Sequence, residues 1–541
     1  MKKLVSLIVS LALALTVGAS ALAVSYPLVA EGEELTMKVL WTKSATAMPI
    51  AEMKVVKDVQ EISGVRFDVV EVPGDGADEK INLMISSGDL PDIFMNGVSA
   101  STVINYQDQE VFIPVTQYIN EQTMPNLTRI LNENPEYLAG MYAPDGEIYG
   151  FPYIEEMFGL VCNQGILSIN QEWLNNLGLQ MPTTLDEFKA CLIAFRDNDA
   201  NGNGDPDDEI PFMFRIGESK LGTWRNNQSI GQFFGCWGQP DTGDRLFATE
   251  EGKIICTATT DAYKEGLKWF HELYEEGLIW SDFALNDEPS YLATLNTEVA
   301  TVGSMVHFSI IDAVSAERRA QYSAVPYLQG PGGEYGCKDN ISEMHSVIQT
   351  AITTACKDPE KACSIIDLFF EPQRSVECNW GAIGMYYEIG EDGVMHWVDE
   401  LPEGFDTYNQ LRTYSTPCRP AIVLSEYYDT VVDYPNDAAD LYADMTKVGF
   451  VSKHLNDAIV PPNMWYAPED QEAMSFISSN LYNLIDNYNA TAILDGNIDE
   501  TWDAYIASLE NAGLNDYLDI VQRTYDSYSL TLDKVLSGVE L

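Results

Sequence analysis

The chain has 541 residues, 46 % of them apolar, with 83 Asp+Glu against 30 Lys+Arg and a net charge of −53. The apolar share is that of an ordinary globular protein, which excludes a disordered chain, a collagen and a disulfide miniprotein. The charge argues against nucleic-acid binding, since nothing offsets repulsion from phosphates. The length fits two or more domains or one large two-lobed unit.

Met1-Lys2-Lys3 is a short basic start, Leu4 to Val17 is almost wholly apolar, and Ala21-Leu22-Ala23 supplies a small-x-small cleavage pattern. Residues 1–23 therefore read as a secretory signal peptide, and the run is too short for a comfortable membrane anchor. Losing Lys2 and Lys3 with it takes the charge from −53 to −55. No later stretch holds ~20 consecutive apolar residues, so no membrane span is expected in the mature chain. Val24 stands where a lipobox would need cysteine, and the first cysteine is Cys162. The expected location is secreted or otherwise extracytoplasmic, at a cell surface or in a periplasm. Nine cysteines cannot all pair within one chain, and no CxxC or Cys/His zinc spacing occurs. Buried free thiols are the favoured reading, with one or two disulfides open in an exported protein.

Residues 24–33 read as a loose leader and 35–41 as a strand. A helix is expected over 48–63, an alternating strand over 65–72, a helix over 77–87 closed by Gly88, and a short strand over 90–94. This alternation implies βαβ units on a mainly parallel sheet, an α/β fold. Pro144-Asp145-Gly146 marks a turn before a strand over 148–153. Thr184 with Glu187 three residues on is a capping box, and Thr260 opens a further helix that ends near Gly277. Gly330-Pro331-Gly332-Gly333 reads as a turn or linker, and the last third is helix-rich and aromatic. No repeat or low-complexity linker divides the chain, so lobes that exchange segments are expected.

Several segments, in order from about 35 to 530, resemble the extracellular solute-binding proteins of ABC importers, carbohydrate-binding family 1 type, as found in Gram-positive bacteria. Ile85-Ser86-Ser87-Gly88-Asp89-Leu90-Pro91-Asp92-Ile93 is similar to the family's "SGDLPDI" segment. Asp145-Gly146-Glu147-Ile148-Tyr149-Gly150-Phe151-Pro152 is similar to "DGKIYGLP". Asn170 to Leu179, with Pro182 to Phe188, resembles "RKDWLDKLGL…PTTLDEF". Trp380-Gly381-Ala382-Ile383-Gly384 with Tyr386-Tyr387 resembles "YGIEGKHY", and Trp502 to Tyr517 resembles "WDAYVAELKKLGLDEY". Asn170 replaces the Arg common before "DWL", so no ligand contact is carried over there, and the missing lipobox puts tethering in doubt.

The resemblance implies the type II periplasmic-binding-protein fold, two α/β lobes joined by crossing strands with the ligand in the cleft. Open α/β sheets bind ligands beyond the carboxyl ends of their strands, and pockets favour interdomain interfaces. The expected lobes are discontinuous: 34–155 with 330–385, and 156–329 with 386–541. The implied function is capture of a carbohydrate, an oligosaccharide, for an ABC importer permease, without catalysis and as a monomer. The competing reading is a secreted carbohydrate-active enzyme, a glycoside hydrolase or lyase, which would share the signal, acidity and aromatic cleft. Turnover separates the two. A peptide or other polar ligand is a variant of the first reading.

The most specific chemical stretch is 197–209. Asp199, Asn201 and Asn203 occupy positions 1, 3 and 5 of a calcium loop, Gly204 the turn at 6, Asp205 position 7 and Asp207 position 9. Position 12 holds Ile210, which has no side-chain oxygen, and Glu209 comes one residue early. The family often carries "DPNGNGKADEIP" here, which implies a structural Ca²⁺; the extra residue leaves Asp207 and Asp208 as alternative ligands. A solvated acidic turn is the bland alternative, since Asp, Asn and Gly favour turns anyway.

Sugars stack C–H faces on aromatic rings while polar neighbours take their hydroxyls. Of ten tryptophans, Trp173, Trp269 and Trp502 fall in helical apolar patterns and read as core. Trp41 ends the first strand, where a cleft residue would sit. Trp224, Trp237, Trp380 and Trp465 stand in polar or Gly/Pro-rich surroundings suited to loops. Ordinary packing is the competing explanation for each. His307 follows Gly303-Ser304-Met305 in a segment that resembles a cleft-facing loop of the family, although a structural role is favoured. No HExxH, GxSxG, P-loop or dinucleotide fingerprint occurs.

Overall fold

The computed structural model describes residues 24–156, 165–216, 229–285, 287–307, 310–336, 338–339, 344–398, 400–405, 408–433, 455–456, 460–461 and 464–538. Strand β1 (Leu35–Lys43) buries Met37, Val39, Leu40 and Trp41. Helix α1 (Lys54–Ser63) leads to β2 (Val65–Pro73), which pairs with β1 in parallel from Leu35↔Val65 to Lys43↔Pro73. Helix α2 (Ala77–Ser87) closes at Gly88, whose left-handed φ of 75° lets its N–H reach the Met84 and Ile85 carbonyls. Strand β3 (Ile93–Phe94) then flanks β1 on its other side. The leader is not loose: Leu28 N–H donates to the Ser63 carbonyl at 2.8 Å and the Tyr26 hydroxyl to the Ser364 carbonyl at 2.9 Å.

After helix α3 (Pro135–Met141), strands β4 (Phe151–Glu155), β5 (Ile166–Asn170), β6 (Ile210–Met213), β7 (Val302–His307), β8 (Tyr322–Ala324), β9 (Met344–Ile352) and β10 (Ile422–Val423) complete two sheets. The first has the order β10-β4-β9-β3-β1-β2 and the second β8-β5-β7-β6. In the first, β9 runs against the other five; in the second, β5 runs against the other three. The first sheet is thus mainly parallel, as the βαβ pattern implies, whereas in the second only β7 and β6 pair in parallel and both pairings of β5 are antiparallel. Gly150 permits the β4–β9 approach, because a Cβ there would lie 2.2 Å from the Thr350 carbonyl oxygen.

Each sheet carries its own apolar cluster. One joins residues 37–154 to 344–432, with Ile166, Ala324, Tyr327 and Trp465; the other draws on 167–328 and 460–521 and includes helices α4 (Leu185–Asp197), α5 (Asp261–Glu275), α6 (Pro468–Asp495), α7 (Ile498–Asn511) and α8 (Leu514–Ser537). The expected boundary at 385 is therefore corrected. Tyr386, Tyr387, Trp397, Leu411, Ile422 and Tyr428 pack with the first cluster, since β10 pairs with β4 in parallel. The boundary at 330 also shifts: Gly330 packs on the Cys236 backbone, and Gly336 N–H donates to the Leu328 carbonyl at 3.0 Å, so 330–336 stay with the second lobe.

Candidate ligand cleft and metal loop

The chain leaves the carboxyl end of β4 at Glu155 and enters β5 at Ile166, which pairs with His307 at the carboxyl end of β7. The carboxyl edges of the two sheets are thereby joined by a crossing, the position at which open α/β sheets take ligands.

A polar network gathers at the first of these edges. The Tyr428 hydroxyl donates to Glu155 Oε1 at 2.9 Å, and Asn379 Nδ2 donates to Glu155 Oε2. Arg412 holds Asn379 twice, Nε to its backbone carbonyl and Nη2 to Oδ1, both at 2.7 Å; the Tyr153 hydroxyl adds a third bond to Oδ1 at 3.0 Å. Burial pushes the Tyr153 hydroxyl up to about 12 and raises that of Tyr428 well above its ordinary value, so both remain proton donors at neutral pH. Trp380, half-buried, donates Nε1–H to the Tyr428 hydroxyl at 2.6 Å, carries the Arg412 guanidinium 4.6 Å from its ring centre and meets Trp397 edge-on at 6.1 Å. The indole is held in a single orientation beside a carboxylate, an amide, phenols and a guanidinium, donors and acceptors suited to sugar hydroxyls.

Of the other expected ligand residues, Trp41 is fully buried against Phe67 and Phe369 and is a core residue; β1 continues past it to Lys43. Trp237 is half-buried and packs on Trp269 and against Gly266 in the second lobe. His307, 6 % exposed, stacks on Tyr291 at 6.3 Å at the carboxyl edge of β7. Trp465, 8 % exposed, donates to the Gly140 carbonyl of α3 at 3.1 Å and lines a cavity of about 210 Å³ with Tyr142, Met344, Tyr528 and Lys534. None of that cavity's lining residues belongs to the Trp380 network. Trp224 lies outside the described residues. The structure thus does not bring Trp41, Trp237 and Trp380 together. Glu155, Asn379, Arg412 and Tyr428 belong to no motif that marks them in the sequence; the local signal is the Glu155-Glu156 pair at the end of β4.

The loop after α4 closes on itself. Gly204 N–H donates to Asp199 Oδ2 at 2.9 Å, Asn203 N–H to Asn201 Oδ1 at 2.9 Å and Asp205 N–H to Asn203 Oδ1 at 2.7 Å. Glu209 Oε1 accepts Ala200 N–H at 2.8 Å and Asn201 N–H at 3.3 Å. Asp208 faces the loop, taking Asn201 Nδ2 at 2.8 Å and Asn203 Nδ2 at 2.7 Å, while Asp205 and Asp207 are exposed. Asp199 Oδ1 and Glu209 Oε2 are buried and have no hydrogen-bond partner. Burial raises the Glu209 carboxyl above the usual range. Orphaned anionic oxygens at both ends of one loop fit a hard cation. Among the described residues no cluster of three or more His, Cys, Asp and Glu side chains is assembled for a metal, so the amide and backbone oxygens would have to supply the rest of a shell.

These features are those of a two-lobed α/β protein of the periplasmic-binding-protein fold. The family described as bacterial extracellular solute-binding protein matches residues 45–373, and the chain belongs to it. The chain is 33 % identical over 516 residues, 93 % of this chain and 92 % of the other, to the fructooligosaccharide ABC transporter substrate-binding protein FusA of Streptococcus pneumoniae serotype 4. Its fold matches S. pneumoniae FusA in complex with kestose with a TM-score of 0.73 at 32 % identity, covering 92 % of this chain and 99 % of that one. An EF-hand mutant of FusA with fructo-nystose matches at 0.72 and 31 %, with the same coverage. An extracellular solute-binding protein from Bifidobacterium longum subsp. infantis matches at 0.78 and 25 %, covering 92 % and 98 %. Among the described residues no helix is long and apolar enough to cross a membrane.

Proposed function

We propose that this protein captures a neutral oligosaccharide of the fructooligosaccharide type at the carboxyl edge of the first-lobe sheet and delivers it to an ABC importer permease. The observation that carries the reading is the Trp380–Arg412–Asn379–Glu155–Tyr428 network at that edge, in a chain one-third identical to FusA over 93 % of its length. Sugar bridging both lobes favours a closed form by its differential affinity, and that form docks on the permease. Glu155 is tied to Asn379 and Tyr428, an arrangement for holding hydroxyls, and no turnover is assigned to it. The protein acts outside the membrane as a monomer.

A structural Ca²⁺ completes the second lobe. Asp199, Asn201, Asn203, Asp208 and Glu209 would hold it with the Asp205 carbonyl, and Asp208 rather than Asp207 supplies the side chain. The ion would fix the path from α4 into β6 and takes no part in sugar chemistry. Support comes from the orphaned Asp199 and Glu209 oxygens and from the EF-hand of FusA.

Calorimetry and thermal shift with kestose and nystose test the function. Saturable binding with the sugar recovered intact is expected; new reducing ends would favour a glycoside hydrolase, and absence of binding would reject the fructan assignment.

A further inference from the structure

Arg419 stands beside the Trp380 network and takes no part in it. Its guanidinium carbon lies 4.3 Å from the ring centre of Tyr153, two residues before the carboxyl end of β4. Its Nε is buried without a hydrogen-bond partner. Among the described residues its side chain joins no salt bridge within 4.0 Å, in a chain with 83 carboxylates. Arg412, a few residues earlier, spends its donors on Asn379, so the two arginines are not equivalent.

The backbone that presents Arg419 is held under strain. Cys418 has φ 59°, a left-handed conformation that a non-glycine residue adopts only when its surroundings impose it. The buried Trp41 indole donates Nε1–H to the Arg419 carbonyl at 2.7 Å. Trp41 therefore positions this residue from the core. A buried Nε–H without an acceptor is unfavourable in the unliganded protein, and the half-buried guanidinium gains from a ligand that brings oxygens to it.

We propose that Arg419 is a ligand-binding residue, its guanidinium donating to hydroxyl or ring oxygens of the captured sugar. The inference rests on the carbohydrate reading above but not on which sugar is bound. Stacked on Tyr153, whose hydroxyl bonds Asn379 of the Trp380 network, Arg419 adds a fork of donors, the geometry that suits two neighbouring oxygens on one sugar ring.

The test is calorimetry on the full mature chain with a panel of kestose, nystose, an oligogalacturonide and a human-milk tetrasaccharide. The probe for the variants is whichever sugar the wild type binds most tightly. Arg419→Met keeps the apolar stem over Tyr153 and removes the fork. It should weaken binding about 10- to 100-fold, the scale of hydrogen bonds from a charged donor, with the unliganded Tm unchanged or higher. Affinity within threefold of wild type overturns the proposal. Should Arg419→Met lower the unliganded Tm by several degrees, Arg419→Gln, which retains donors and polarity, carries the test against the same threefold limit. A wild type that prefers a sugar without fructose rejects the fructan assignment, while loss of that binding in Arg419→Met still supports Arg419. A wild type that binds none of the panel rejects both.

Discussion

Removing calcium should destabilise the second lobe, and the loop geometry sets the size of the effect. Without the ion, Asp199 Oδ1 and Glu209 Oε2 remain buried with no donor, and the Asp208 carboxylate repels that of Glu209. A ligand present at one hundred times its Kd and bound only to the native state contributes about 2.7 kcal/mol. For a unit of 150–250 residues, ~1 kcal/mol moves Tm by roughly 2–4 °C, so chelation should lower the transition by about 5–10 °C and added Ca²⁺ should restore it. Differential scanning calorimetry in EDTA and after calcium addition, with metal analysis of the purified protein, measures this. Glu209→Gln is the control. It keeps the Oε1 acceptor for Ala200 and Asn201 N–H, so its metal-free Tm should match or exceed that of the wild type while the response to calcium disappears. An unchanged melting curve in EDTA with no metal in the protein would refute the reasoning, as would a full calcium response in Glu209→Gln. Because burial raises the Glu209 carboxyl, calcium should also bind more weakly as pH falls toward the carboxylate range, where protons compete for the same oxygen.

Trp380→Ala should weaken sugar binding by about 1–3 kcal/mol, read by calorimetry, since the ring is fixed by Tyr428, Arg412 and Trp397 in the unliganded state. Trp237→Ala should instead lower the unliganded Tm, because that ring packs on Trp269 and Gly266; unchanged stability would move Trp237 back into the cleft. Gly150→Ala should destabilise the first lobe by about 1–3 kcal/mol in denaturant titration, as its Cβ would strike the Thr350 carbonyl 2.2 Å away; a neutral result would show that β4 and β9 can part without loss. Asp367 caps the helix at 125–133 through Asn126 and Leu127 N–H, and burial pushes its carboxyl up to about 6. A folded-state pKa above the unfolded value favours the fold at low pH and loses that contribution as pH rises through about 6. Lowering the pH from 7.5 to 5 should therefore stabilise the wild type over Asp367→Asn by about 1 kcal/mol, and equal slopes for the two would reject the assignment.

Much of the local structure was legible because its causes lie within a few residues. Thr184 caps its helix by accepting Glu187 N–H at 3.1 Å, although the Glu187 carboxylate reaches back to Thr183 rather than Thr184. Gly88 ends α2 as its position predicts. Asp92 of the Leu90-Pro91-Asp92 segment accepts Lys38 N–H at 2.7 Å, and Asn170 caps the next helix by accepting Glu172 N–H at 3.0 Å, which gives motif residues structural work. The spacing of Asp199, Asn201, Asn203 and Gly204 closes a loop wherever the chain places it, because each bond spans five residues or fewer.

The candidate sugar site was not legible in this way. Glu155, Asn379, Arg412 and Tyr428 meet only because β10 pairs with β4, and their bonds span 224 residues between Glu155 and Asn379 and 273 between Glu155 and Tyr428. The same pairing draws 386–432 into the first lobe, against the boundary that the chain order suggested. Trp41 shows the limit most plainly. Its place at the end of an apolar strand suits a cleft and a core equally, and the choice falls to the Phe67 and Phe369 side chains packed against it and to a carbonyl 378 residues away. Sequence alone determined what short-range bonding and hydrophobic period can enforce. Which polar groups converge, and which rings face solvent, was decided by sheet register, because contacts between distant segments form only when long stretches of chain close together.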